Sequence, residues 1–414
     1  MPDYKIHIAQ HQHYSCLLCG RCCRRFHVRL EKEECLRLAN LDWQGEPNPH
    51  DFTVTINKHE YFRRNPDGSC VFLDEHGTCR MHAKFGFNIK ALTCRGYPMN
   101  IVSTFPGELS VLARMDCPAV LKDHGKPLTE QRQDIEKLVS EMKFGKPFTE
   151  TQLCGLQRKT LESIRDFITK QLQDTSAPLP NRILAALSLL NACQKLGSVF
   201  LNDSKTMQEV WRNFNIKFKP ATEFPKHDGL SAYSRTVFRT WLAAYCRRDE
   251  EILDRSILSR LKLFKRNFMF IIGRGNWHEL GWEHPDYSFA KAAVFKRANR
   301  PVEYHDNAWR PFMRFLLTRL ECLQFFGVAF YETDFFMGLR ALLKTYAHVL
   351  ASARYHAISE GRDVIAEDDV FYAVLSIDHC HGRSPSLNFS STRSNENFFS
   401  GDRFDALLAD LGWA

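Results

Sequence analysis

The residues of this chain best suited to chemistry are its cysteines. Fourteen occur in 414 residues, and nine of these fall within the first 117. The tightest group reads Cys16-Leu-Leu-Cys19-Gly-Arg-Cys22-Cys23. Two-residue spacing lets thiolates converge on one metal ion or cluster, and Gly20 lets the backbone turn inside the loop. Thiolates are soft, strongly donating ligands that suit Zn²⁺ and iron–sulfur clusters. Neighbouring side chains normally diverge, so Cys22 and Cys23 both bind only if they serve two sites, bridge, or sit on a distorted turn. Arg21, Arg24 and Arg25 flank the motif and could offset the negative charge of several thiolates.

A second set follows as Cys70-Val-Phe-Leu-Asp-Glu-His-Gly-Thr-Cys79, Cys94-Arg-Gly-Tyr-Pro and Cys117-Pro. Cys70 and Cys79 flank an expected β-hairpin with Gly77 near its turn, which carries both to adjacent strand ends. The candidate metal ligands are therefore Cys16, Cys19, Cys22, Cys23, Cys70, Cys79, Cys94 and Cys117. Eight thiolates are enough for two four-thiolate sites, or for one site plus a structural or redox pair; spacing alone does not choose. Cys35 is expected on the buried face of a helix. Cys154, Cys193, Cys246, Cys322 and Cys380 sit on helical patterns and read as small core hydrophobes. His82 follows Cys79 at a ligand-like spacing but is expected as an exposed or capping residue, and His11 and His13 as a polar lead-in.

These residues resemble a known family. CLLCGRCC, a helix opening LEKEECLRL, CVFLDEHGTCRMH and LTCRGYP occur in the order found in the CxxCxxCC family of zinc- or iron-chelating cysteine-cluster domains, over roughly residues 14 to 120. In architecture the chain is most similar to flagellin lysine-N-methylases, which pair such a domain with a helical region. The resemblance implies a bound iron–sulfur cluster, with zinc as the alternative. It further implies methyl transfer from S-adenosylmethionine to lysines of a protein substrate. It carries over no catalytic position. A non-catalytic zinc- or iron-chelating module on a helical scaffold, and a redox or electron-transfer protein, stand beside this reading.

The elements that must position the cysteines divide the chain. Residues 1–122 are expected as a loop-rich cysteine module, with a strand at 26–30 and a helix at 31–40. Turn signals leave little room for a large apolar core, so a metal would help stabilise it. From about 126 onward helical periodicity takes over. The expected helical domain covers 126–382, with a capping box at Thr149 to Gln152 ahead of a run to about 173. Further helices are expected at 181–199, 204–213, 230–247, 250–267, 307–326, 332–359 and 366–376. Residues 383–402 contain six Ser and three Asn and read as a flexible segment, followed by a docking helix at 403–414. The fold class expected is α+β: a small cysteine module followed by a mainly α-helical bundle.

Several functions are excluded or given no support. Lys+Arg 56 against Asp+Glu 48 gives a net charge of +8 with no basic block, so nucleic acid is not an expected partner. LKLFKRNFMF (261–270) reads as an amphipathic helix. No uninterrupted run of 18 apolar residues occurs, so no membrane span is expected. The N-terminal stretch has no apolar signal core, so the expected location is cytoplasmic, where thiols stay reduced. No P-loop, HExxH, GxSxG or EF-hand loop is present, and the radical-type CxxxCxxC spacing is absent because Ser15 stands four before Cys19. Gly273-Arg-Gly275 reads as a loop. NWHELGWEHPDY (276–287) is an aromatic-rich loop that either lines a pocket or packs on the bundle. Glu367-Asp368-Asp369 reads as the acidic first turn of a helix.

Overall fold

The computed structural model describes residues 4–43, 52–221, 230–246, 257–272, 306–362 and 364–411. The loops at 273–275 and 276–287 lie outside the described residues. The architecture is mixed, with a small strand-containing cysteine module followed by a helical domain, as the sequence leads one to expect.

The cysteine module carries short strands β1 (Lys5–Ile8), β2 (His13–Tyr14), β3 (Arg29–Leu30), β4 (Thr53–Ile56), β5 (His59–Phe62), β6 (Met99–Ser103), β7 (Glu108–Ala113) and β8 (Lys126–Pro127). They form one sheet β1-β7-β6, with β1 parallel to β7, a second antiparallel sheet β3-β5-β4, and a β2-β8 pair. Its helices are short: α1 (Arg21–Arg25), α2 (Lys32–Ala39), α3 (Arg80–Phe85), α4 (Leu92–Gly96), α5 (Pro118–Leu121) and α6 (Arg132–Glu141). Helix α2 starts where Glu31 and Glu34 form a capping box, which satisfies amide groups at its exposed N-terminus. The expected strand at 26–30 is reduced to Arg29–Leu30. The expected 70–79 hairpin is reduced to a single antiparallel bridge between Leu73 and Cys79. Asp74 takes over its turn, with Oδ1 accepting from the amides of His76 and Thr78, while Gly77 adopts φ 79°.

The helical part comprises α7 (Glu150–Leu153), α8 (Arg158–Gln173), α9 (Leu179–Leu201), α10 (Ser204–Lys217), α11 (Ala232–Cys246), α12 (Ile257–Ile271), α13 (Arg310–Glu321), α14 (Phe335–Ser359), α15 (Glu367–Cys380), α16 (Ser390–Phe398) and α17 (Asp402–Asp410). The Thr149–Gln152 capping box forms, but Cys154 and Gly155 take positive φ and split the expected run to 173 into α7 and α8. Helix α9 is long and apolar enough to cross a bilayer by length and composition. Its Asn181 and Arg182 are buried and donate to the carbonyls of Ala221 and Leu172, and it packs on α8 and α14. The stretch 383–402 contains α16 rather than an unstructured chain. Ser386 and Thr392 are buried there, with Ser386 Oγ donating to the Ala244 carbonyl and Thr392 Oγ1 to the Ser386 carbonyl.

Among the described residues two sizeable buried cores form, beside a small cluster of Ala9, Leu112 and Cys322. The larger joins Ile8, Val111, Met115, Val120 and Leu128 to the phenylalanines of α13 and α14, such as Phe312, Phe315 and Phe335. The smaller includes Cys70, Cys79 and Cys94 at its edge and is aromatic: Trp43, Phe52, Phe62 and Phe72 pack at centroid separations of 5.2 to 6.3 Å, Trp43 stacked on Phe72 and the other pairs tilted or edge-on.

Candidate metal centre

The first cysteine loop is set by the β2–β8 pair. Ser15 donates its amide to the His124 carbonyl at 2.8 Å, which fixes the chain just before Cys16. Leu18 and Gly20 then take positive φ, and the backbone turns into α1. A side chain on Gly20 would meet Leu73, and one on Gly77 would come within 3.0 Å of the Leu18 carbonyl. The two cysteine loops therefore touch through their glycines. Cys22 and Cys23 lie in the first turn of α1 with their sulfurs 3.9 Å apart. The Cys23 carbonyl accepts the Cys70 amide at 2.8 Å and so brings the second cysteine segment alongside. Cys79 and Cys117 occupy the N-caps of α3 and α5, and Cys94 sits inside α4.

Seven of the eight candidate ligands, Cys16, Cys19, Cys22, Cys23, Cys79, Cys94 and Cys117, line one cavity of about 400 Å³. A second, larger cavity of about 690 Å³ shares Cys22, Cys23, Cys79 and Cys94 in its lining with the first, and Cys70 lines it as well. Cys16 and Cys19 are exposed, Cys117 is buried, and the other five are half-buried. Their thiols are free of disulfides. Among the described residues no three Cys, His, Asp or Glu side chains converge tightly enough to hold a metal ion. In type the thiols suit a thiophilic metal and in number they exceed the four one ion takes, but among the described residues they are not gathered on one point.

The electrostatics of the cavity agree with that picture. Burial pushes the Cys70 thiol up to about 11 and the Cys117 thiol up to about 12. Cys94 is raised by burial, against the lowering pull of Lys90. Cys22 is raised first by its hydrogen bond to Cys23 and then by burial. Such thiols remain protonated until a cation displaces their protons. Of the three arginines expected to offset thiolate charge, Arg21 reaches the cavity wall. Arg24 turns instead to Asp67, at 3.5 Å. Cys35 lies half-buried against the aromatic core and lines neither cavity. His82 lines the smaller cavity, and burial followed by Lys90 lowers its pKa. Cys193, Cys322 and Cys380 are buried in the helical part and Cys154 is half-buried there; the side chain of Cys246 lies outside the described residues.

A buried charge network that the sequence reading did not single out joins Cys117 to the helices. Asp116 accepts from Arg114 and Tyr97, and its Oδ2 lies 3.0 Å from His379 Nδ1 on α15. Its own amide donates to Asp378 Oδ2 at 3.1 Å, and Asp378 pairs with Arg319 and Arg383. Burial alone would raise Asp116, but Arg114, His379 and Arg383 outweigh it and hold the carboxyl well below the usual range. The signal available in the sequence was slight: an Asp before Cys117, and an Asp-His pair within a helical pattern.

Residues 15–118 match the CxxCxxCC family, described as "Putative zinc- or iron-chelating domain". A curated relative is the uncharacterized protein MJ0939 of Methanocaldococcus jannaschii, 23% identical over 133 residues. That alignment covers 32% of this chain and 45% of the relative, so the match spans less than half of the relative's length. No solved structure matches the chain significantly.

Proposed function

We propose that the chain is an iron–sulfur protein whose cluster is held by cysteines of the N-terminal module, drawn from Cys16, Cys19, Cys22, Cys23, Cys70, Cys79, Cys94 and Cys117. The observation that carries this reading is the lining of one 400 Å³ cavity by seven of these thiols. Seven thiols supply more than the four that either one tetrahedral ion or one iron–sulfur cluster takes, and the iron–sulfur choice is supported by the open cavity beside them, because a structural zinc site is closed. When bound, the cluster would supply electron transfer or a Lewis-acidic iron. The chain's own residues hold its cysteines in place through the Cys23–Cys70 backbone bond and the glycine contact between loops. Arg21 and Lys90 set positive charge beside the thiols.

Iodoacetamide labelling read by mass spectrometry tests the ligand set. Iron and sulfide loading should protect cysteines of this group while leaving Cys35 and Cys154 labelled as before. Equal labelling of all cysteines in loaded and chelator-stripped protein would refute it.

The further reading, methyl transfer from S-adenosylmethionine to lysines of a partner protein, rests on the motif resemblance. The larger cavity beside the cysteines supports a centre that meets a ligand, since a purely structural zinc site is closed. Transfer of labelled methyl groups to protein lysines by the loaded chain is the test; its absence with S-adenosylmethionine bound would leave the redox role.

A further inference from the structure

The larger cavity has more room than a metal centre fills, and its charges are distributed unevenly. At about 690 Å³ it falls in the size range of small-molecule sites. Phe62, Phe72 and Met81 give it an apolar, largely aromatic wall continuous with the small core. Most charges that line it are already matched within the protein. Arg95 is clasped by both carboxylate oxygens of Glu141 at 2.8 and 2.6 Å, and Arg114 is bonded to Asp116. Arg29 lies 3.7 Å from Glu31, and Glu34 accepts from the amides of Glu31 and Leu92.

Two cations are left over. Arg37 and Lys90 both line the cavity and neither forms a close ion pair among the described residues; Lys90 Nζ lies 5.5 Å from the Phe87 ring centroid, and Arg37 acts on the Glu141 carboxylate only at longer range. Arg37 donates only weakly, through Nη2 to the carbonyls of Ile89 and Lys90 at 3.3 and 3.4 Å, and its Nε is buried with no hydrogen-bond partner. These same bonds hold the guanidinium against the Lys90 segment. A partly buried cation whose interacting carboxylate, Glu141, is already clasped by Arg95 is short of counter-charge, and a guanidinium beside an ammonium is a common way to receive a carboxylate or phosphate.

We infer that this cavity binds a small amphipathic anion, with an apolar, aromatic body on the Phe62–Phe72–Met81 wall and a carboxylate or phosphate received by Arg37 and Lys90. Because Cys22, Cys23, Cys79 and Cys94 line both cavities, such a ligand lies against the proposed metal centre, yet its recognition does not require the metal.

Titration calorimetry on the full chain tests this with 1-naphthoate and 1-naphthyl phosphate, using 1-naphthol as the uncharged control and measuring metal content in parallel. One saturable site per chain is expected for at least one anion, binding about tenfold or more tighter than naphthol. The tighter of the two anions identifies the acidic group. Lys90→Gln should weaken the anion about tenfold or more and leave naphthol unchanged. Arg37→Gln should act in the same direction. No saturable anion site, equal binding of naphthol and the anions, or an unchanged Lys90→Gln affinity would overturn the inference. Naphthoate binding to a chain that takes up no metal would leave it standing and remove only the metal centre.

Discussion

At the scale of single residues, the chemistry of the N-terminal module lies in thiols whose roles differ by position. Cys22 lines both cavities together with Cys23 and Cys94, whereas Cys193 is buried in α9 and lines neither. Cys22→Ser and Cys19→Ser should each lose most of the bound metal by elemental analysis. Cys193→Ala should keep all of it and cost about 1 kcal/mol in denaturant unfolding. Unchanged metal in both serine variants would remove the cluster from this loop. Residue type and spacing made the cysteines legible in the sequence, because a CxxCxxCC string has few other uses. Arg37, Lys90 and the Asp116–His379 pair were not legible, since their roles arise from contacts between segments that no local spacing encodes.

At the scale of elements, legibility followed the range of the interaction. The Thr149–Gln152 capping box is local and formed as read, while the Cys154–Gly155 break that follows it depends on two positive φ values that the helical period does not announce. The acidic first turn of α15 was also legible, but Asp369 does more than favour the helix N-terminus. It accepts from the Ala366 amide and pairs with His356 and Arg362. The serines of 383–402 misled because Ser and Asn favour exposed loops, whereas here Ser384, Ser386 and Thr392 are buried and hydrogen-bonded.

Helix α14 gives a pH test. His348 is fully buried on it among Phe238, Trp241 and Tyr245, and burial, then Lys344, lowers its pKa to about 3. A histidine of ordinary pKa in the unfolded chain takes up a proton below about pH 6.5, which the folded one refuses down to about 3. The unfolded state therefore binds more protons in that window, and stability should fall as pH drops from about 6.5. The expected slope is about 1.4 kcal/mol per pH unit from this group. His348→Phe should flatten that slope in denaturant titrations at pH 5 and 7; an unchanged slope would contradict the assignment.

At the scale of the whole molecule, the cysteine module is fastened to the helices by polar as well as apolar contacts. Gln324 donates to the carbonyls of Asn100 and Ser110, Ser110 donates to the Cys322 carbonyl, and Arg314 reaches the carbonyls of Val120 and Leu121. Asp378 is the centre of the buried network, holding Arg319, Arg383 and the Asp116 amide at once. Asp378→Ala would leave Arg319, 2% exposed, without its carboxylate and should cost roughly 3–5 kcal/mol. Because Asp116 adjoins Cys117, that variant should also release metal faster to a chelator. A loss of stability without faster metal release would mean that the network braces the helices alone.

The most direct test of the central claim is the metal and acid-labile sulfide content of the chain purified without oxygen. The account predicts iron and sulfide in equal amounts, about four of each per chain for a cuboidal cluster, with broad visible absorbance. Zinc without sulfide would contradict the iron–sulfur assignment, and a chain holding no metal under those conditions would contradict the metal centre itself.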